Sequence, residues 1–153
     1  MNSSPLVFHG SPIHRINIVR LRRNIRTTKI GDKTVTIFDQ NSFHASPYQW
    51  IALAYMYRTL PGHSMAVDLY GNKSQVLIIG PNNLDESLYQ LYKRGGYLHS
   101  FNASEFWWCE GLGNREVITN KNISPVEVAF ITNPVARMLQ TGVEFIFSKQ
   151  GRK

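Results

Sequence analysis

A length of 153 residues points to one domain, spanning 1–153, long enough to bury a core. With 42% apolar and 18% charged residues the chain is too apolar to be disordered; no run reaches the roughly 18–20 apolar residues of a membrane helix, so no membrane partner is expected. Seventeen Lys and Arg against ten acids leave a net charge of +7, which favours polyanions such as nucleic acid or a phosphorylated small molecule.

The start, Met1-Asn2-Ser3-Ser4-Pro5, has no charged segment leading into an apolar one, so no secretory signal is expected. The single cysteine, Cys109, excludes an internal disulfide and a cysteine-based zinc site, and a reducing cytoplasm is the expected compartment.

Residues 6–8 form a short apolar strand, ended by Gly10 and Pro12. Residues 15–29 carry Arg15, Arg20, Arg22, Arg23, Arg26 and Lys29; within them 16–19 reads as a strand and 24–29 as a loop, together a basic loop over a cleft. Gly31-Asp32 is a turn, and 33–38 alternates with β-branched residues, as a strand does. Ser46 is the expected N-cap of a helix with Pro47 in its first turn, running through Ile51, Ala52, Ala54, Tyr55 and Leu60 to a stop at Pro61-Gly62. Residues 64–70 and 75–79 make a hairpin. Leu84, Leu88, Leu91 and Tyr92 share one face of a helix that has Asp85 and Glu86 in its first turn and stops at Gly95-Gly96.

Strands are then expected at 97–101, 115–119, 126–131 and 143–147, with an irregular loop at 103–113 anchored by Trp107 and Trp108. Asn133-Pro134 caps a third helix, from Val135 to Thr141-Gly142, and a basic tail occupies 149–153. Seven or eight short strands among three short helices do not alternate regularly, so the expected class is α+β with a mostly antiparallel sheet.

Three segments carry a resemblance. Phe8-His9-Gly10 resembles the first motif of the ADP-ribosyltransferase-like superfamily. Phe43-His44-Ala45-Ser46-Pro47, with the helix after it, resembles the second, and Arg115-Glu116-Val117-Ile118 resembles the strand that presents the catalytic glutamate. The order and spacing of these segments agree with that superfamily, and the later run Gly96-Tyr97-Leu98-His99, Glu116-Val117-Ile118 and Ser124-Pro125-Val126-Glu127-Val128 also resembles small bacterial and phage proteins that begin with a Tyr-His-Gly-Ser motif. The resemblance implies a split sheet that binds NAD and transfers ADP-ribose to an acceptor, with nucleic acid and protein as candidates.

Carried over residue by residue, it makes Glu116 and His9 catalytic. His9 donates to ribose hydroxyls, and Glu116 stabilises the oxocarbenium-like centre as nicotinamide leaves. Gly10 and Ser11 approach the nicotinamide carboxamide, Ser46 supports the ribose or Glu116, and Tyr48, Trp50 or Tyr55 stacks on the ring. Arg20, Arg22 or Arg23 holds the diphosphate. RNA 2′-phosphotransferase chemistry, which resembling domains also perform, needs a further His and Arg, for which His44 and Arg20 are the candidates. Arginine-modifying relatives have Glu or Gln two residues before the catalytic Glu; Asn114 stands there, which argues against arginine as acceptor and leaves a non-catalytic nucleotide binder open.

Other chemistries have less support. His9, His14, His44, His63 and His99 show no i, i+4 zinc pair, so no metal is expected. Cys109 lies in no Cys–His signature. The basic residues, with Tyr48, Trp50, Trp107 or Trp108 as stacking partners, suit a non-catalytic nucleic-acid-binding module, although no recognised motif for one is present.

Overall fold

The computed structural model describes residues 5–70, 73–109 and 115–149. Its elements are β1 (Leu6–Ser11), β2 (Arg22–Ile30), β3 (Lys33–Ala45), α1 (Gln49–Ala54), β4 (Ser64–Tyr70), β5 (Lys73–Gly80), α2 (Leu84–Tyr92), β6 (Gly96–Asn102), a 3-10 turn at Ala103–Glu105, β7 (Val117–Thr119), β8 (Glu127–Ile131), α3 (Pro134–Gln140) and β9 (Glu144–Lys149). They form an α+β fold with three small sheets, ordered β1-β6-β8, β2-β3-β7 and β4-β5-β9. Among the described pairings only β5 with β9 is parallel. No helix among the described residues is long and apolar enough to cross a membrane.

Two helices form as their sequences dictate. Asn83 accepts the Glu86 N–H at 2.9 Å and Asn133 the Ala136 N–H at 3.0 Å, so each asparagine satisfies an orphan donor of the first turn. Pro134 sits at the start of α3, where its missing N–H removes nothing. The β4–β5 hairpin also forms, with pairs from Ser64↔Ile79 to Tyr70↔Lys73, so that β5 starts two residues before the expected 75; residues 71–72 lie outside the described residues. So does the end of the basic tail, 150–153.

The segment from 15 to 30 differs from the sequence reading. Residues 24–29, expected as a loop, belong to β2, which pairs with β3 from Arg22↔Ser42 to Ile30↔Lys33. Almost every residue of this ribbon is exposed, so no buried face imposes the alternation that betrays a strand. Gly31, at φ +63°, makes the tight two-residue turn. Residues 16–19, expected as a strand, are irregular. Only Val19 is buried there, and the backbone bonds to partners outside any ladder: Ile16 N–H donates to His99 Nε2 at 2.8 Å and Val19 N–H to the Ile123 carbonyl at 2.8 Å.

Helix α1 is shorter than expected. Its N-cap is Tyr48, not Ser46, and it ends at Ala54 rather than near Leu60. Ser46 is held extended by two backbone bonds to Phe8, at 2.7 and 2.8 Å. Beyond the helix, Arg58 N–H donates to the Leu91 carbonyl at 2.9 Å, so the chain is captured by the end of α2 before it can wind further. Trp50 to Ala54 are all buried. The expected strand at 115–119 is also shorter: Arg115 and Glu116 precede β7, and the Arg115 guanidinium donates to the Val67 carbonyl.

The core lies on both sides of the place where β1 meets β3. One cluster packs α1 against β5, α2 and α3; the other gathers Val7, Val19, Ala45, Phe101, Phe106 and Val117. Strand β1 approaches α1 so closely that a Cβ at Gly10 would lie 1.8 Å from the Ala52 carbonyl oxygen. This contact fixes the mouth of the cleft described next.

Candidate functional site

Strands β1 and β3 touch through Phe8 and Ser46 and then part, and the gap between them is lined from both sides. Strand β7 pairs with the end of β3 through His44↔Ile118 and Ala45↔Val117. Continuing that register sets Glu116 level with Ser46, on the same face as His44. Residues from four distant parts of the chain therefore face one cleft of about 370 Å³, among them His9, Gly10, Ser46, Tyr55, Tyr57 and Glu116.

A second, wider groove of about 740 Å³ adjoins it, lined by Ser11, Arg15, Arg20, Arg22, Asn24 and Ser42 among others. His9, Arg26 and His44 line both cavities and form the ridge between them.

Glu116 is the most connected group in the cleft. Arg26 donates to both carboxylate oxygens, at 3.1 and 3.4 Å, and His44 Nδ1 lies 3.3 Å from Oε1. Burial alone would raise the Glu116 pKa, but the His44 hydrogen bond and the Arg26 charge outweigh it and the net shift is downward. The carboxylate is thus ionised at neutral pH and accepts only, so His44 Nδ1 carries the proton of that bond. His44 Nε2 lies 3.0 Å from Ser42 Oγ, and on a neutral ring it accepts the serine hydroxyl. Asn24 Nδ2 donates to the Ser42 carbonyl at 3.0 Å and braces the same strand.

His9 has the opposite electrostatics. Burial pushes its pKa down to about 4, against the hydrogen bond to the His44 carbonyl, and the neighbouring His99 and His44 push in the same direction as burial. The ring is neutral at pH 7. Its Nδ1 is 3.0 Å from the His44 carbonyl oxygen, which cannot donate, so Nδ1 holds the proton and Nε2 presents a lone pair. The ring therefore offers the cleft an acceptor rather than the donor that the sequence reading assigned to it. Phe43 packs on the ring at 4.5 Å between centroids and fixes its tilt.

The remaining expected residues divide by strand parity. Arg22 faces the groove, and Arg20 lines it from the preceding coil. Arg23 points to the other face, where it forms a bidentate pair with Asp39 at 2.8 and 2.7 Å; alternation along β2 turns it away from the groove that Arg22 lines. Ser11 lines the groove, with its hydroxyl accepting the His14 N–H at 3.1 Å. Ser46 lines the cleft, but its hydroxyl accepts the Tyr48 N–H at 3.1 Å and the partner of Glu116 is His44 instead. Tyr55 lines the cleft, whereas Tyr48 and Trp50 belong to the core around α1. Asn114 lies outside the described residues.

The sequence reading names Arg26 only as one of the basic residues of 15–29, with no role at Glu116, and does not reach Asn24 or Ser42 as site residues. Reading 22–30 as a strand would have put Arg22, Asn24 and Arg26 on one face, and Ser42, His44 and Ser46 alternate in the same way along the end of β3. No protein-family model, no curated protein and no solved structure matches the chain, so the chemistry of the site rests on its own geometry.

Proposed function

We propose that the chain is an NAD-binding, ADP-ribosyltransferase-like enzyme that breaks the nicotinamide–ribose bond in the cleft at Glu116. The observation that carries this reading is the convergence of His9, Gly10, Ser46, Tyr55 and Glu116 on one cleft beside a groove rich in arginine. The residues suit each part of NAD. Phe8 exchanges both backbone bonds with Ser46, so alternation turns the N–H and C=O of Gly10 to the same side, away from β6 and onto the cleft. One donor and one acceptor in a row match the two ends of a carboxamide. Tyr55 offers a flat face to the nicotinamide ring, His9 Nε2 accepts a ribose hydroxyl, and Arg20 and Arg22 suit the diphosphate.

Chemistry follows from charge. As the C1′–N bond breaks, its electron pair leaves with nicotinamide and positive charge develops on the ribose. Glu116, ionised and held by Arg26 and His44, is a fixed negative group at that point. The acceptor then forms the new bond to C1′ with a lone pair of oxygen or nitrogen and loses its proton to Glu116. The test is nicotinamide release from NAD by wild type and Glu116→Gln. Loss of one such electrostatic group is expected to slow release by about 10²–10³-fold. Equal rates would remove Glu116 from the reaction.

A further inference from the structure

The basic residues between 15 and 26 are sorted by their partners. Arg23 is neutralised by Asp39 on the far face of the ribbon, and Arg26 by Glu116 on the ridge. Arg15, Arg20 and Arg22 line the groove and have no side-chain hydrogen bond or ion pair among the described residues. No Asp or Glu lines the groove with them. Three guanidiniums gathered without a counter-charge repel one another, and the natural compensation is a ligand bearing several negative charges.

A dinucleotide's diphosphate brings only two charges and leaves part of that demand unmet. The groove also has about twice the volume of the cleft, about 740 against 370 Å³. Its wall is not purely basic. Ile16 and Ile18 lie between Arg15 and Arg20 along the chain, Phe43 lines the same groove, and Ile18 is 52% exposed. Charge alternating with apolar surface matches a chain of phosphates alternating with flat bases. His9, Arg26 and His44 line both cavities, so a ligand in the groove that reaches Glu116 crosses them; a base can make that crossing only when it is out of its stack, which favours a single strand over a duplex.

We propose that this groove is a binding track for single-stranded nucleic acid, and that the strand is the acceptor delivered to Glu116. As an acceptor site it rests on the transferase reading; as a binding track it does not. In the transfer a base or hydroxyl lone pair of the strand bonds to C1′, nicotinamide leaves with the glycosidic electron pair, and the strand's proton passes to Glu116.

Fluorescence anisotropy with labelled 12-nucleotide single strands, one RNA and one DNA, tests the track without NAD. Neutralising three phosphates gives a slope of log K against log salt of about −2, since each contributes about −0.7 on a single strand. The triple variant Arg15→Gln/Arg20→Gln/Arg22→Gln, all exposed positions, is expected to bind at least about tenfold more weakly with a flattened slope. Arg23→Gln is expected to stay within about twofold of wild type. No binding of either strand at low salt, an unchanged slope in the triple variant, or equal affinity for a duplex of the same sequence would overturn the proposal. The RNA and DNA arms show which sugar the groove prefers. Nicotinamide release, followed separately, keeps the two readings apart. NAD turnover without strand binding overturns the nucleic-acid acceptor alone, and strand binding without turnover overturns the transferase alone.

Discussion

Acid weakens this fold through His9, and the size of the effect follows from its burial. In the unfolded chain the ring has an ordinary pKa near 6.5; in the fold it is held to about 4. The unfolded state therefore binds more protons in that interval, so the stability that the neutral ring contributes is complete above pH 6.5 and is lost as pH falls towards 4. A displacement of about 2.5 units is worth about 3 kcal/mol, which for a domain of this size lowers Tm on the order of 10 °C. Urea unfolding of wild type and His9→Asn, from pH 7.5 to 4.5, isolates the contribution. The asparagine amide retains a donor for the His44 carbonyl but does not titrate in this range. Wild type is expected to lose stability relative to the variant as pH falls, most steeply below pH 6. A difference between the two proteins that does not change with pH would refute the assignment of a buried, neutral imidazole.

Other perturbations probe the surroundings. Gly10→Ala places a methyl group against the Ala52 carbonyl and is expected to cost about 1–3 kcal/mol in a thermal or urea melt, by pushing β1 off α1. Tyr92→Phe removes the buried bond from its hydroxyl to the Ala54 carbonyl, 2.6 Å long, and is expected to cost about 1–2 kcal/mol by the same measurement. His44→Ala takes one stabilising partner from the Glu116 carboxylate. Nicotinamide release is then expected to fall at low pH before it does in wild type, because the carboxylate protonates at a higher pH.

How much of this was legible in the sequence depended on what each residue had to satisfy. Helix α2 announces itself by the spacing of Leu84, Leu88, Leu91 and Tyr92 with Asp85 and Glu86 in the first turn, and α3 by Asn133-Pro134, whose cap bond spans only three residues. The β4–β5 hairpin is legible because its strands carry the composition of half-buried strands. Strand β2 is not, because a ribbon exposed on both faces has no apolar period to show. Helix α1 reads too long because its end is set by Leu91, far along the chain, rather than by Pro61-Gly62. In the site, motif order points to His9 and Glu116, whereas the tautomer of His9 and the pairing of Glu116 with Arg26 depend on contacts across 35 and 90 residues. The second of these contacts follows from β2 being a strand, the element that sequence patterning hid.

The central claim is that the cleft between Gly10 and Glu116 takes the nicotinamide end of NAD. Backbone amide NMR of the labelled protein during titration with NAD tests it most directly. Shifts are expected to concentrate on Gly10 and its neighbours His9 and Ser11, on Tyr55 and on Glu116, with smaller ones at Arg20 and Arg22. Saturating NAD that leaves the Gly10 and Glu116 amides unmoved, or that shifts only residues remote from β1 and β7, would contradict it.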